Sequence, residues 1–251
     1  MSAFTPDTIL AVFAIFCRVG GCLLIAPGFS STQVPARIRL FIALAVSLAL
    51  ASLLVDSIKP TLADGSGIAL VATIFTELAV GFLLGFLARL FFMALQFITV
   101  TMTQAIGLSA LPGTVMGDDE QSPALSTLYT LVATTLLFAA GLHGQLLRGL
   151  VESYQTIPPG KPFNAQLALI DIADHAGAIF VAALRIGSPF IVFSVIVNFA
   201  IGITNKLTPQ IPVFFIATPF VIAGGLFLLL FTVQDFFAYF TAALGDWLIN
   251  G

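Results

Sequence analysis

Residues 68–107 read IALVATIFTELAVGFLLGFLARLFFMALQFITVTMTQAIG, an apolar stretch whose charges are Glu77 and Arg89. At 1.5 Å per residue one helix of that length reaches roughly 60 Å, about twice the hydrocarbon thickness of a bilayer. Either Gly81, Gly85 or Arg89 breaks it into two short helices, or a single helix rises well beyond a normal bilayer position.

Outward from this segment the chain keeps the same character. Uncharged runs cover 90–117, 121–147, 186–205 and 207–234, each long enough for the ~20-residue crossing of a bilayer core. Of 251 residues, 59% are apolar and 8% charged, against roughly 45–50% and about 25% in a globular domain. Mean hydropathy is +1.10, and a water-facing surface cannot be built from so few charges. The runs are continuous and rich in Leu, Ala and Phe, unlike the ~10-residue alternating strands of an outer-membrane barrel. The chain is therefore an all-α polytopic membrane protein of about six hydrophobic helices, some broken or overlong, in a single integral membrane domain over 1–251. Nine Lys and Arg against twelve Asp and Glu, for a net charge of −3, supply no basic stripe to neutralise phosphates, which excludes nucleic acid as a partner.

The first helix is expected from Thr8 to Ile25, stopped by Pro27-Gly28, and the second from Arg37 to Val55, with a polar loop from Asp56 to Gly67. After the long segment, Leu108–Pro123 is the most polar interruption, holding Pro112, Gly113, Gly117 and Asp118-Asp119-Glu120. A helix from Ala124 to Tyr154 follows, then the stiff linker Ile157–Pro162. Gln166–Thr204 is apolar with Arg185 and Pro189 dividing it, Asn205–Pro212 is a break, and Val213–Val233 is the last full span. The aromatic-rich end, Asp235–Ile249, suits a membrane interface. Five to seven crossings fit, six being the central value. Arg37, Arg39 and Lys206 on one side and Lys59 and Lys161 on the other leave orientation undetermined.

Arg18, Glu77, Arg89, Arg148 and Arg185 fall inside or near apolar stretches, where charge is expensive. Glu77 and Arg89 lie about 18 Å apart along a helix and cannot pair, so each needs a partner on another helix, another subunit or water. Gly81-x-x-x-Gly85 opens a shallow groove on the glutamate's face, inviting a neighbouring helix from this chain or another subunit. Gln96, Thr99, Thr103, Gln104 and Gly107 share one broad helix face entering the 108–123 loop. Ser126, Thr130, Thr134, Gly141, Gln145 and Arg148 share one leaving it. Both stripes are polar and nearly uncharged, so they meet another helix or line a wet path for diverse cargo.

Catalytic patterns are missing: no His-Glu-x-x-His, no Gly-x-Ser-x-Gly and no Walker loop. His143 and His175 are not at ligand spacing. Cys17 and Cys22 point to different sides of one helix and cannot bridge. Val19-Gly20-Gly21-Cys22 only superficially resembles a lipoprotein box, since no basic n-region precedes it and Arg18 interrupts the apolar stretch; the N-terminus reads as a retained span.

Arg18-Val-Gly through Ala26-Pro27-Gly28-Phe29, Val34-Pro35-Ala36-Arg37, Glu77-x3-Gly81-x3-Gly85, Gln104-Ala-Ile-Gly107, Gly141-Leu-His143 with Leu146 and Ser153, and the break from Asn198 to Pro219 together resemble the FliR family. Those proteins are export-gate membrane components of flagellar and injectisome type III secretion. Lys206 stands where that family is expected to carry arginine, and Ile211-Pro212 replaces a more usual polar pair. The resemblance implies a channel subunit without cofactor, metal or catalytic centre. It would assemble with FliP- and FliQ-like subunits in the bacterial inner membrane at the flagellar basal body, beside FlhB- and FlhA-like proteins, and pass unfolded export substrates. A plug loop then corresponds to 107–123, with Gly107, Leu111, Pro112, Val115 and Met116 closing the channel and Gln96, Thr103 and Gln104 lining it. Arg18, Glu77, Gly81, Gly85, Arg89 and Pro209 become expected subunit-packing residues. The competing expectation is a secondary transporter using Glu77 and Arg89 at discontinuous helices.

Overall fold

The structure is a computed structural model that describes residues 6–31, 34–63, 67–108, 124–161 and 163–250, and every regular element among them is a helix. Helix α1 spans Pro6–Ile25. It opens with proline at a position where no backbone N–H is needed, and Asp7 faces the positive end of the helix dipole. It stops before Pro27, and Gly28 takes φ +83.

Helix α2, Ala36–Ala63, runs past the expected end at Val55 and through Pro60. Asp56, Ser57 and Lys59, expected in a loop, instead lie on this helix, Lys59 pairing loosely with Asp56 at 3.7 Å, and residues 64–66 of that loop lie outside the described residues. Helix α3, Gly67–Ala105, settles the alternatives for the long segment: it is one helix of 39 residues, unbroken at Gly81, Gly85 or Arg89.

The helix expected over Ala124–Tyr154 is two helices, α4 (Ala124–Ala139) and α5 (Leu142–Thr156), bent by 69°. Gly141 makes the break with φ +72 and ψ 11, a left-handed conformation that glycine adopts without steric cost. Apolar periodicity continues across the bend, so only the glycine marked it.

Helix α6 covers Ala165–Leu207 without the expected division at Arg185 and Pro189. Asn164 caps its start, its Oδ1 accepting from the backbone N–H of Gln166 at 3.1 Å and of Leu167 at 3.2 Å, as short amide side chains do at helix N-termini. Pro189 has no N–H for the carbonyl of Arg185, but the Ser188 hydroxyl donates to that oxygen at 2.8 Å. Such repair by Ser or Thr lets a proline stay inside an apolar helix. Helix α7, Val213–Asn250, joins the last expected span to the aromatic end in one element.

Among the described residues five helices, α1, α2, α3, α6 and α7, are long and apolar enough to cross a membrane, and the bent α4–α5 pair brings the number to as many as six. The chain divides into two compact units, residues 1–90, 137–176 and 245–251 in the first and 91–136 and 177–244 in the second. The first is built around α1: Ala11, Ala14, Ile15, Val19, Cys22 and Leu23 are buried with Ile58 of α2, Ala88 of α3 and Leu146 and Leu150 of α5. In the second, Ile98 of α3 and Ile106 in the turn just after it enter glycine gaps. A side-chain carbon on Gly187 of α6 would collide with Ile98, and one on Gly225 of α7 would collide with Ile106. Tyr129 of α4 packs between Phe236 and Phe237 at ring distances of 4.9 and 5.0 Å.

Candidate functional site

Two constellations hold most of the polar chemistry. The first unit contains a buried ion pair that joins three helices. Arg18 of α1 and Glu77 of α3 are both 0% exposed. The Arg18 Nε–H donates to Glu77 Oε2 at 2.7 Å and an Nη2–H to Oε1 at 2.9 Å, a two-pronged match of planar guanidinium to carboxylate. Two further donors reach α5 and its C-cap: Nη1–H donates to the Ser153 hydroxyl at 3.0 Å and the second Nη2–H to the Ile157 carbonyl at 3.0 Å. The Tyr154 ring lies 3.8 Å from the guanidinium carbon, a cation–π contact.

The glycines beside this pair explain how α1 comes so close. Added side-chain carbons on Gly81 and Gly85 would collide with the backbone carbonyls of Arg18 and Cys22, and one on Gly21 would approach Leu78 O at 2.8 Å. The two helices therefore touch backbone to backbone, the close approach that small residues permit in membranes. The helix filling the Gly81–Gly85 groove is α1 of the same chain. Arg89, on the same helix as Glu77, is exposed and has no ion pair among the described residues. The two charges invoked for a transporter are thus not brought together, and the Glu77 carboxylate is bound by Arg18.

The second constellation lies in the second unit at the end of α3. Only part of the polar stripe read from the sequence is open. Thr99 and Thr103 are buried and donate to the carbonyls four residues earlier, Leu95 at 2.8 Å and Thr99 at 2.7 Å. The Thr99 hydroxyl also meets Ser126 of α4 at 3.1 Å. Thr130 and Thr134 likewise bond to Ser126 O and Thr130 O. Hydroxyls satisfied by their own helix present little polarity outward, so Thr103 offers no open lining group here. Gln96 and Gln104 are exposed. Gln104 shares a niche of about 200 Å³ with Gly107, Asn198, Thr218 and apolar neighbours from α6 and α7. Gly107 turns the chain out of α3 with φ +77. Leu111, Pro112, Val115 and Met116 lie outside the described residues. Pro209 is exposed in the turn between α6 and α7.

Sequence reasoning missed the pairing of Arg18 with Glu77 and the seats at Gly187 and Gly225. An arginine and a glutamate isolated in separate apolar helices were the available signal for the first. Single glycines in long apolar runs were the signal for the second.

Among the described residues no group of three or more His, Cys, Asp or Glu could hold a metal ion. A helical membrane protein with an internally neutralised charge pair and close glycine-mediated packing is the class these features define. The chain belongs to the bacterial export proteins, family 1, whose profile matches residues 9–247. It is 30% identical to the flagellar biosynthetic protein FliR of Caulobacter vibrioides over 234 residues, 91% of each chain. It is 26% identical to the protein of the same name from Aquifex aeolicus over 248 residues, 94% of each. The secretion system apparatus protein SsaT of Salmonella typhimurium is 28% identical over 151 residues, 57% of this chain and 56% of that one.

Proposed function

We propose that the chain is a channel-forming subunit of the type III secretion export gate of a flagellum, through which unfolded substrates cross the bacterial inner membrane at the basal body. The observation that carries this reading is the family match along residues 9–247. Relatives named for flagellar biosynthesis cover more than nine-tenths of the chain in the first two cases, whereas the injectisome-type relative covers little more than half. This favours the flagellar assignment.

The exposed apolar surface is consistent with assembly. Half of the most apolar stretch of α1 and of α3 is buried within the chain, but only 17% of that of α2, 22% of α6 and 6% of α7. Lipid or other subunits must cover the rest. FliP- and FliQ-like subunits are the partners on this reading, with FlhB-like and FlhA-like proteins at the entrance supplying access and coupling. On this reading the plug begins at Gly107, a residue that lines the niche of Gln104, Asn198 and Thr218.

Deleting residues 107–122 tests the plug. The assembled complex should still form but conduct ions or small solutes when closed, read as dye or ion flux in vesicles or cells. An assembled deletion complex as impermeable as wild type refutes the plug. Purification in mild detergent tests the partners, and recovery of the chain as an isolated monomer that transports a solute unaided refutes the gate.

A further inference from the structure

We propose that the outward face of α6 in the second unit receives a helix of a neighbouring subunit, and that this helix presents an aspartate or glutamate to Arg185. The inference rests on the assembly reading above and supplies the chemistry of one contact within it. Only 22% of the most apolar stretch of α6 is buried within the chain. Val181, Arg185, Ser188, Val192, Val195 and Phe199 are exposed, and their alternating spacing of four and three residues draws one line along the helix, the spacing by which one helix seats on another. Ala183, Gly187 and Phe190, which pack inside the chain, point roughly 140–200° away from Arg185.

Arg185 interrupts this line. It is the only Asp, Glu, Lys or Arg between Asp174 and Lys206, and Asp174 is about 16 Å away along the axis. The guanidinium has no ion pair among the described residues. On α7, Asp235 stands near its level, since Ala183 and Ile186 share a small cavity with Phe236 and Phe240, yet the two charges form no ion pair.

The arginine selects the occupant. A subunit that covers α6 strips water from the guanidinium, and a buried charge without a counter-charge is among the costliest contacts an interface can hold. A carboxylate removes that cost with two parallel hydrogen bonds. One polar position within an otherwise apolar seam also fixes which helix fits and at what height, so the contact confers register as well as charge balance. Lipid tails offer Arg185 no acceptor.

The full-length chain is purified in mild detergent from cells that make the whole export apparatus, with the photoreactive residue p-benzoylphenylalanine at Val192, two turns from Arg185 on the same face. Illumination should join it to another subunit, and the joined segment should contain an aspartate or glutamate. From immobilised complex that subunit should dissociate roughly thirty-fold faster or more with Arg185→Gln, the effect of truncating one side of a buried charge pair, whereas Arg185→Lys should retain it. Arg185→Glu should lose the subunit, and changing the identified acidic residue to lysine should bring it back. Unfolding of the isolated chain in sodium dodecyl sulfate should be the same for wild type and Arg185→Gln, because the guanidinium has no ion pair inside the chain. Equal dissociation from wild type and Arg185→Gln overturns the proposal, as do adducts with lipid alone or with a segment that holds no acidic residue. Restored assembly when Arg185→Asp is combined with Asp235→Arg in one chain also overturns it, since the pair would then lie within the chain. All of these leave the gate reading standing. Wild type recovered with no other subunit overturns both.

Discussion

Removing the Glu77 carboxylate should be among the most damaging single changes available to this chain. In Glu77→Leu, Arg18 stays fully buried and loses the bonds at 2.7 and 2.9 Å. It keeps the Ser153 hydroxyl, the Ile157 carbonyl and the face of the Tyr154 ring, none of which carries a compensating negative charge. Breaking a buried pair from one side costs about 3–5 kcal/mol, and 4 kcal/mol is roughly a thousand-fold in the unfolding equilibrium. Arg18→Met should cost a similar amount, because it leaves the carboxylate stranded. The double variant Arg18→Met/Glu77→Leu behaves differently. No charge is left behind, and Ser153 still donates to Leu150 O at 2.7 Å. The groups newly without a partner reduce to the Ile157 carbonyl, worth about 1–3 kcal/mol. The double variant should therefore be no worse than either single change, giving a coupling of at least about 3 kcal/mol. Unfolding of the four proteins is followed by loss of helical circular dichroism during titration of sodium dodecyl sulfate into dodecyl maltoside micelles. Additive single effects, with a coupling under about 0.5 kcal/mol, would refute the argument that the pair is mutually dependent.

Gly81→Ala should destabilise the chain by forcing α1 off the backbone contact at Arg18, whereas Gly20→Ala, which meets nothing within 4 Å, should be neutral; similar melting temperatures for both variants would exclude the close helix approach. Gly225→Ala should be worse than Gly187→Ala, because the first meets the stem and backbone of Ile106 and the second only the tip of the Ile98 side chain. The reverse order in a thermal melt removes that distinction. The buried Tyr129 hydroxyl has no hydrogen-bond partner among the described residues, so Tyr129→Phe should leave stability unchanged or raise it by up to about 1 kcal/mol. A loss above 1 kcal/mol in the same titration contradicts this.

The helical membrane class and the first helix were readable because apolar runs of bilayer length have few alternative structures. Breaks were less legible, for two opposite reasons. Pro189 looked like a divider, but the serine before it returns a donor to the carbonyl that proline abandons, an effect that depends on rotamer as well as sequence. Gly141 looked like an ordinary small residue, yet its left-handed conformation ends α4. At the site, Glu77 and Arg18 stood out as costly, but pairing them required knowledge of which helices cross. The threonine stripes misled more deeply. Their periodicity was real, yet each hydroxyl can close on its own helix backbone, as the Asn198 amide does on Ser194, leaving Gln96 and Gln104 as the open amides of that region.

The span of 59 residues between Arg18 and Glu77 has a consequence for biogenesis. At a synthesis rate of about 5–20 residues per second, the arginine emerges roughly 3–12 s before its carboxylate. During that interval α1 carries an uncompensated charge that insertion machinery penalises by about 2.5–3.5 kcal/mol at a helix centre. On the same scale the ten Leu, Ile, Val and Phe residues of α1 return about 3–6 kcal/mol, so the arginine narrows the margin by which the first helix enters the membrane, and the arrival of α3 with Glu77 restores it.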